Sequence, residues 1–214
     1  RTLEETPMSD ELIRLSATEA AAKLKAGEIT PLDLIDAAEA RIAAVDGDVN
    51  ALPTLCLDRA RDHARALMAG KRREAEGEAG WLGGIPVAIK DLAEVAGVRT
   101  TYGSPIFADY VPRESHPVVE RIERKGGIVI AKSNTPEFGA GGSTFNEVFG
   151  RTRNPWNTSL TCGGSTGGGA VVNGDLAEGR SWQADLGVRG QPAPYVYWDA
   201  SLFYMEFDDQ IGTV

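Results

Sequence analysis

Lys90 is the first residue whose type and setting could support catalysis. It closes a short apolar segment, Ile85 to Ile89, and is followed by Asp91. If this segment is a buried strand, the Lys90 ammonium lies in a partly dry pocket, and desolvation lowers the pKa of a lysine. A lysine that loses its proton near neutral pH can act as a general base. An exposed lysine that merely terminates a strand explains the same pattern.

A glycine-rich segment supplies hydroxyl groups and a pliable backbone. It reads Cys162-Gly163-Gly164-Ser165-Thr166-Gly167-Gly168-Gly169. Glycine lets backbone N–H groups come close to a substrate, which suits a cradle for an anion or an oxyanion. A phosphate-binding P-loop needs Gly-Lys-Ser/Thr after its glycines, whereas Ser165 and Thr166 are followed by more glycine. A flexible glycine linker explains the composition equally simply.

The first 80 residues are predicted to be helical because start and stop signals bracket three apolar patterns. Ser16-Ala17-Thr18-Glu19 predicts a capping box for a helix that ends at Gly27. Thr30 and Pro31 predict the start of a second helix, which we expect to end at Gly47. A third helix is expected from Leu57 to Gly70, followed by a charged, solvated loop over Lys71 to Glu78.

From Gly83 onward the pattern changes to strands separated by a helix. Ile85 to Ile89 is typical of a buried strand, and Ile128 to Ala131 is typical of another. Between them, Pro117 to Lys125 predicts a helix capped by Ser115. The sequence therefore predicts an α/β fold in which N-terminal helices precede a mixed, mostly parallel sheet with flanking helices.

The last segment, Trp182 to Val214, has a different composition from the rest of the chain. Residues 195–207 are rich in aromatic and β-branched side chains with partial alternation, which favours strands. We therefore expect a β-rich C-terminal tail. The predicted domains are residues 1–80, which are helical, residues 81–174, which form an α/β core, and residues 175–214, which form the tail.

Charge and composition disfavour several classes of partner. The chain has 22 basic and 31 acidic residues, a net charge of −9. That charge opposes the phosphate backbone, so nucleic acid is not expected as the main partner. No apolar run is long enough for a membrane-spanning helix, and residues 1–5 do not resemble a signal peptide. We therefore expect a cytoplasmic protein.

The two histidines and two cysteines fit no catalytic or metal-ligating pattern. Cys56 and Cys162 are far apart, so they suggest neither a disulfide framework nor a zinc site. His63 is expected on the surface of a helix, and His116 is expected in a polar connection. A hydrogen-bonded imidazole explains each histidine better than a catalytic one.

Taken in order, several segments resemble the amidase signature family. They are Gly83–Asp91, Lys132–Gly139, Gly142–Asn146, Phe149–Gly150, Arg153–Asn157 and Gly163–Gly168. With Tyr102-Gly103-Ser104 and the helical start, the resemblance covers roughly residues 8–172. It implies hydrolysis or transfer of carboxamide groups by a Ser, cis-Ser, Lys triad on an α/β sheet, with a small-molecule amide as substrate and with no metal or organic cofactor.

The same resemblance assigns two site residues. Lys90 matches the triad lysine, and Ser165 matches the cis-serine, while Thr166 stands where the family has a second serine. The family's nucleophilic serine follows an Asp-Leu-Gly or Asp-Thr-Gly segment, but Asp185-Leu186-Gly187 leads here to Val188-Arg189-Gly190. Ser181 and Ser201 are the nearest hydroxyls and lack the glycine setting of that serine, so no nucleophile is assigned.

A second resemblance concerns the tail. Trp182–Gly190 and Ala200–Val214 resemble strands of a TonB-dependent outer-membrane receptor. A stretch this short cannot close a barrel, so no membrane insertion is expected. Two main hypotheses follow: an amidase-family hydrolase that is truncated and of doubtful activity, or an inactive chimeric fragment that joins an amidase N-terminus to a receptor segment. A receptor-associated envelope protein is a third, weaker alternative. The oligomeric state is not predicted.

Overall fold

The computed structural model describes residues 11–70, 79–167, 180–193 and 196–208. The chain divides into two compact units, Arg1–Asn173 and Gly174–Val214. The helices of the first unit are α1 (Ala17–Ala26), α2 (Pro31–Val49), α3 (Leu57–Met68) and α4 (Pro117–Arg124). Its strands are β1 (Thr54–Leu55), β2 (Pro86–Lys90), β3 (Ile128–Ser133), β4 (Phe145–Asn146) and β5 (Gly150–Arg151).

The predicted starts of α1 and α2 are both capped as expected. The Ser16 hydroxyl accepts a hydrogen bond from Glu19 N at 3.2 Å, and α1 ends at Gly27 in the left-handed conformation. Thr30 caps α2 in the same way through Asp33 N, again at 3.2 Å. Such caps satisfy N–H groups that have no partner inside the helix, so they fix where each helix begins.

The sheet that carries the predicted site has the order β1-β3-β2. β2 runs parallel to β3, and β1 runs antiparallel to it. In the described part of the chain the sheet is therefore mixed, as predicted, with five parallel paired positions between β2 and β3 and two antiparallel ones between β1 and β3. The β2–β3 register shifts between Val87 and Ala88, so Lys90 pairs with Ser133.

Apolar layers cover β3 on both faces. On one face Ile128 and Ile130 pack with Ile35 of α2 and Ala64 of α3. On the other face Val129 packs with Val119 of α4. Every residue of β3 is buried as a result, as is typical of a central strand between helical layers.

Two predicted helix boundaries and the predicted burial of one strand need correction. α2 continues past Gly47 to Val49 and ends at Asn50. The cap of α4 is His116, which accepts from Val118 N at 3.2 Å, because the Ser115 hydroxyl accepts from Ala96 N instead. β2 is less buried than predicted: Ala88 is exposed and Ile89 alone is buried, since β3 is the one strand that pairs with β2 among the described residues.

The second unit contains β6 (Arg180–Ala193) and β7 (Val196–Asp208), which pair antiparallel. Ser181 pairs with Phe207, and Ser201 pairs with Gly187. The predicted loop over Lys71 to Glu78 lies outside the described residues, as does the segment that joins the two units. The receptor-like origin of the tail and the boundary at residue 80 stay predictions.

Candidate functional site

Lys90 and Ser165 meet at the carboxyl edge of the sheet. Lys90 is the last residue of β2, and its Nζ donates a hydrogen bond to Ser165 Oγ at 2.6 Å. Both residues are partly buried. The structure thus brings together the two residues that the sequence assigned to the site, although they come from distant segments.

The loop that carries Ser165 is tied to the segment after β3. Gly167 N donates to Asn134 O at 3.1 Å, and Thr144 N donates to Gly163 O at 2.9 Å. The Thr135 hydroxyl lies 3.4 Å from the backbone oxygen of Ser165. The peptide bond between Gly164 and Ser165 is cis. The described part of this glycine-rich loop, residues 162–167, is therefore held on both sides of Ser165, unlike the flexible linker that composition alone would allow.

Burial lowers the pKa of Lys90 from the ordinary lysine value. Desolvation disfavours the charged ammonium, and no charged group offsets that lowering in the part of the chain that the structure describes. The neutral amine is the form that can accept a proton from the neighbouring hydroxyl. The lowered pKa makes this neutral form more accessible at Lys90 than at an exposed lysine.

Asp91 takes no part in this contact, because its carboxylate is bound elsewhere. Its Oδ1 accepts from Lys132 Nζ at 3.0 Å, and its Oδ2 accepts from Thr101 N at 2.9 Å and from the Thr101 hydroxyl at 2.6 Å. Lys132 also donates to the Thr100 hydroxyl at 2.8 Å. Sequence reasoning assigns no role to Lys132. The position of Lys132 directly after the apolar segment Ile128 to Ala131 is the sequence signal that could have identified it.

A polar network around Asn134 braces the same edge of the sheet. Asn146 Nδ2 donates to Asn134 Oδ1 at 2.7 Å and to Thr135 O at 2.8 Å. Asn134 in turn donates to the Thr152 hydroxyl at 3.0 Å. These side chains are buried and satisfied, so the network rigidifies the segment on which the loop rests. Asn134 and Asn146 both lie in family-like segments, but nothing in the sequence indicates this role for them.

The remaining candidate side chains are not part of the hydrogen bond between Lys90 and Ser165. Burial raises the pKa of the Cys56 thiol to about 11 and also raises the pKa of Cys162, so both stay protonated at neutral pH. His63 is less exposed than predicted, because its Nδ1 lies 3.2 Å from Glu123. Thr166 is exposed beside Ser165. In the described ranges no cluster of three His, Cys, Asp or Glu side chains could hold a metal ion.

Ser181 and Ser201 are described by backbone pairing alone, which assigns neither a chemical role. Among the described residues, no helix has the length and apolar character needed to cross a membrane.

Comparison with known proteins identifies a consistent set of relatives. The family model described as Amidase matches residues 33–177. A glutamyl-tRNA(Gln) amidotransferase subunit from Anaeromyxobacter dehalogenans (strain 2CP-C) is 44% identical over 162 residues, 75% of this chain and 32% of that protein. Its counterpart in Roseiflexus sp. (strain RS-1) is 43% identical over 161 residues, again 75% of this chain and 32% of the relative.

Comparison with solved structures gives relatives of the same kind. A 6-aminohexanoate cyclic dimer hydrolase complexed with substrate superposes with a TM-score of 0.64 at 30% identity, covering 81% of this chain and 34% of its own. A bacterial aryl acylamidase of the amidase signature family gives a TM-score of 0.64 at 31% identity over 73% of this chain and 32% of its own. The chain therefore spans about a third of the length of the relatives that it matches.

Proposed function

This chain belongs to the amidase family, and from that premise we propose that it carries the proton-transfer half of a carboxamide-hydrolysing site, with Lys90 as base and Ser165 as relay. The observation that carries the proposal is the 2.6 Å contact between Lys90 Nζ and Ser165 Oγ. The lowered pKa of Lys90 supports it, because a base must be able to exist in its neutral form.

The proposed reaction moves one proton along two hydroxyls. Neutral Lys90 takes the proton of Ser165 while Ser165 takes the proton of a nucleophilic serine, whose oxygen attacks the amide carbon. When the tetrahedral intermediate breaks down, the proton returns through Ser165 to the leaving nitrogen. The C–N bond then breaks with a neutral amine as the leaving group, and water later hydrolyses the acyl-enzyme.

The nucleophile itself is not assigned to any residue of this sequence. Where the family resemblance predicts the nucleophilic serine, the sequence reads Val188-Arg189-Gly190. We propose that the 214-residue chain is therefore inactive or nearly so toward amides by itself. The substitution also favours the second hypothesis, a chimeric fragment in which an amidase N-terminus is followed by a receptor-like segment.

A rescue experiment tests the proposed roles. The usual downstream amidase segment is grafted after Val172, and release of ammonia or amine is measured with primary and aryl amides. The side-chain amide of glutamine is included because amidotransferase proteins are among the relatives. We expect the grafted protein to hydrolyse at least one amide and the original chain to release nothing above background.

Two variants of the grafted protein test the individual roles. Lys90→Ala and Ser165→Ala should each lower turnover by roughly a hundredfold or more, since each removes a proton-transfer group. Lys25→Ala is the matched control, because Lys25 is exposed on α1. Turnover that survives both site substitutions would contradict the assignment. A graft that folds but never gains activity would mean that the N-terminal part is itself defective.

A further inference from the structure

Thr152 is a buried polar side chain to which the proposed proton transfer gives no part. It is 0% exposed, and its hydroxyl donates to Asn50 O at 2.7 Å while it accepts from Asn134 Nδ2 at 3.0 Å. Because a threonine hydroxyl has one proton, and Asn50 O receives it, the Thr152 oxygen faces Asn134 as an acceptor. The hydroxyl therefore fixes which end of the Asn134 side-chain amide points toward it.

Asn134 connects the two residues of the proposed relay. It directly follows Ser133, which pairs with Lys90 in the ladder between β2 and β3. Its backbone oxygen accepts a hydrogen bond from Gly167 N at 3.1 Å, two residues after Ser165. A displacement of Asn134 would therefore move the loop of Ser165 relative to the strand end that carries Lys90.

Thr152 also packs directly against this loop, together with a second buried threonine. A Cβ built on Gly167 would lie 2.6 Å from Thr152 Oγ1 and 2.8 Å from Thr144 Cγ2. Thr144 is 0% exposed as well, but in the ranges that the structure describes its hydroxyl bonds to no nitrogen or oxygen atom, and it lies near the Cys162 thiol. Packing against Gly167 is thus common to both threonines, whereas the hydroxyl that holds Asn134 belongs to Thr152.

We propose that Thr152 is a positioning residue for the proton relay. Its hydroxyl locks the Asn134 side chain, and Asn134 holds Gly167 through its backbone oxygen. Ser165 is thereby kept within hydrogen-bond distance of Lys90. The inference rests on the proposed roles of Lys90 and Ser165, and Thr152 acts on them through the loop rather than on the substrate.

A thiol placed at the relay position reads the contact with Lys90 without any turnover. Ser165→Cys is introduced into the full chain, and alkylation of the new thiol by iodoacetamide is followed over a pH series by peptide mass spectrometry. Fragment spectra distinguish this thiol from Cys162, whose pKa is raised by burial. A nearby lysine ammonium favours the thiolate, so Lys90→Ala should raise the alkylation midpoint by about one pH unit.

The Lys90→Ala shift is then measured again in chains that also carry a threonine substitution. Thr152→Val keeps the shape of the side chain but removes the hydroxyl, and we expect the shift to fall to about half or less, because Asn134 Nδ2 and Asn50 O each lose a partner. Thr144→Val is the matched control and should leave the shift unchanged, since it preserves the packing against Gly167. Thr152→Ser retains the hydroxyl and should also leave the shift unchanged.

Each outcome decides the question. An undiminished Lys90→Ala shift in Thr152→Val, or an equal loss in Thr144→Val, would overturn the inference. If circular dichroism shows that Thr152→Val does not fold, Thr152→Ala replaces it with Thr144→Ala as its control, and the same results are expected. A Lys90→Ala shift that is absent even in the chain with Ser165→Cys and both threonines intact would instead contradict the proposed function.

Discussion

Substitution of Gly103 tests how closely its backbone approaches the segment Thr135 to Glu137. It lies between Thr101, which binds Asp91, and Ser104, whose hydroxyl donates to Glu137 at 2.6 Å. Its φ of +67° lies in the left-handed region, and a Cβ placed on it would come within 2.9 Å of Thr135 O. Glu137 N and the Pro136 carbonyl carbon would each lie 3.1 Å away. These are backbone atoms, which cannot rotate aside.

The expected cost of Gly103→Ala has two parts. An alanine in the left-handed region costs about 1 kcal/mol. The overpacked contact adds about 1–3 kcal/mol, because one backbone segment must shift. Gly97→Ala is the matched control: its φ is +74°, but nothing lies within 4 Å of its added Cβ. Gly97→Ala should therefore lose only about 1 kcal/mol, and Gly103→Ala should lose about 2–4 kcal/mol.

Urea denaturation followed by circular dichroism measures both losses, with the free energy of unfolding extrapolated to water. The informative quantity is the difference between the two variants, since the left-handed contribution cancels. If Gly97→Ala and Gly103→Ala lose the same stability within about 0.5 kcal/mol, the close approach of Gly103 to Thr135 is refuted.

Two further outcomes can be checked on the same chain. Burial would raise the pKa of Glu123, but hydrogen bonds from His63 and Arg59 lower it to about 2. A carboxyl whose pKa is lower in the folded state stabilises the protein at pH values above its ordinary pKa of 4.5. This stabilisation is lost as the pH falls toward 2. Glu123→Gln should therefore lose about 1–3 kcal/mol at neutral pH, and acid titration of unfolding should show the difference from the unmodified chain shrinking. Thr30→Ala should lower the free energy of unfolding by about 1 kcal/mol while Thr30→Ser changes it little, and thermal melts that rank these two variants equally would argue against the α2 cap.

The helix starts could be predicted because caps act within four residues. Ser16 and Thr30 each bind the third residue of their own helix, so the signal lies entirely in the local sequence. The end of α2 is harder to predict. Gly47 has the residue type of a stop, but the Asp46 carboxylate accepts from Ala51 N at 2.6 Å and Leu52 N at 3.1 Å, which moves the end to Asn50.

Long-range partners could not be predicted in the same way. Ser115 has the residue type of a cap, yet its hydroxyl is used by Ala96 N, 19 residues earlier. The buried pair of Asp91 and Lys132 joins residues 41 positions apart, and no local pattern encodes that contact. Before the structure, Lys90 and Ser165 could be paired only through the family resemblance. Chemistry alone identified each as a candidate without linking them.

The register shift between β2 and β3 has a consequence for the two lysines of the sheet. Pro86 and Val87 pair with Ile128 and Val129, but Ala88 pairs with Ala131, so β3 has one residue more than β2 at this point. If the first two pairs continued in an uninterrupted ladder, Lys90 would stand beside Lys132 on the same face, where two ammonium groups would repel each other. The extra residue instead pairs Lys132 with Ile89 and Lys90 with Ser133. The register shift therefore keeps Lys132, which pairs with Asp91, from lying directly opposite Lys90, which donates to Ser165.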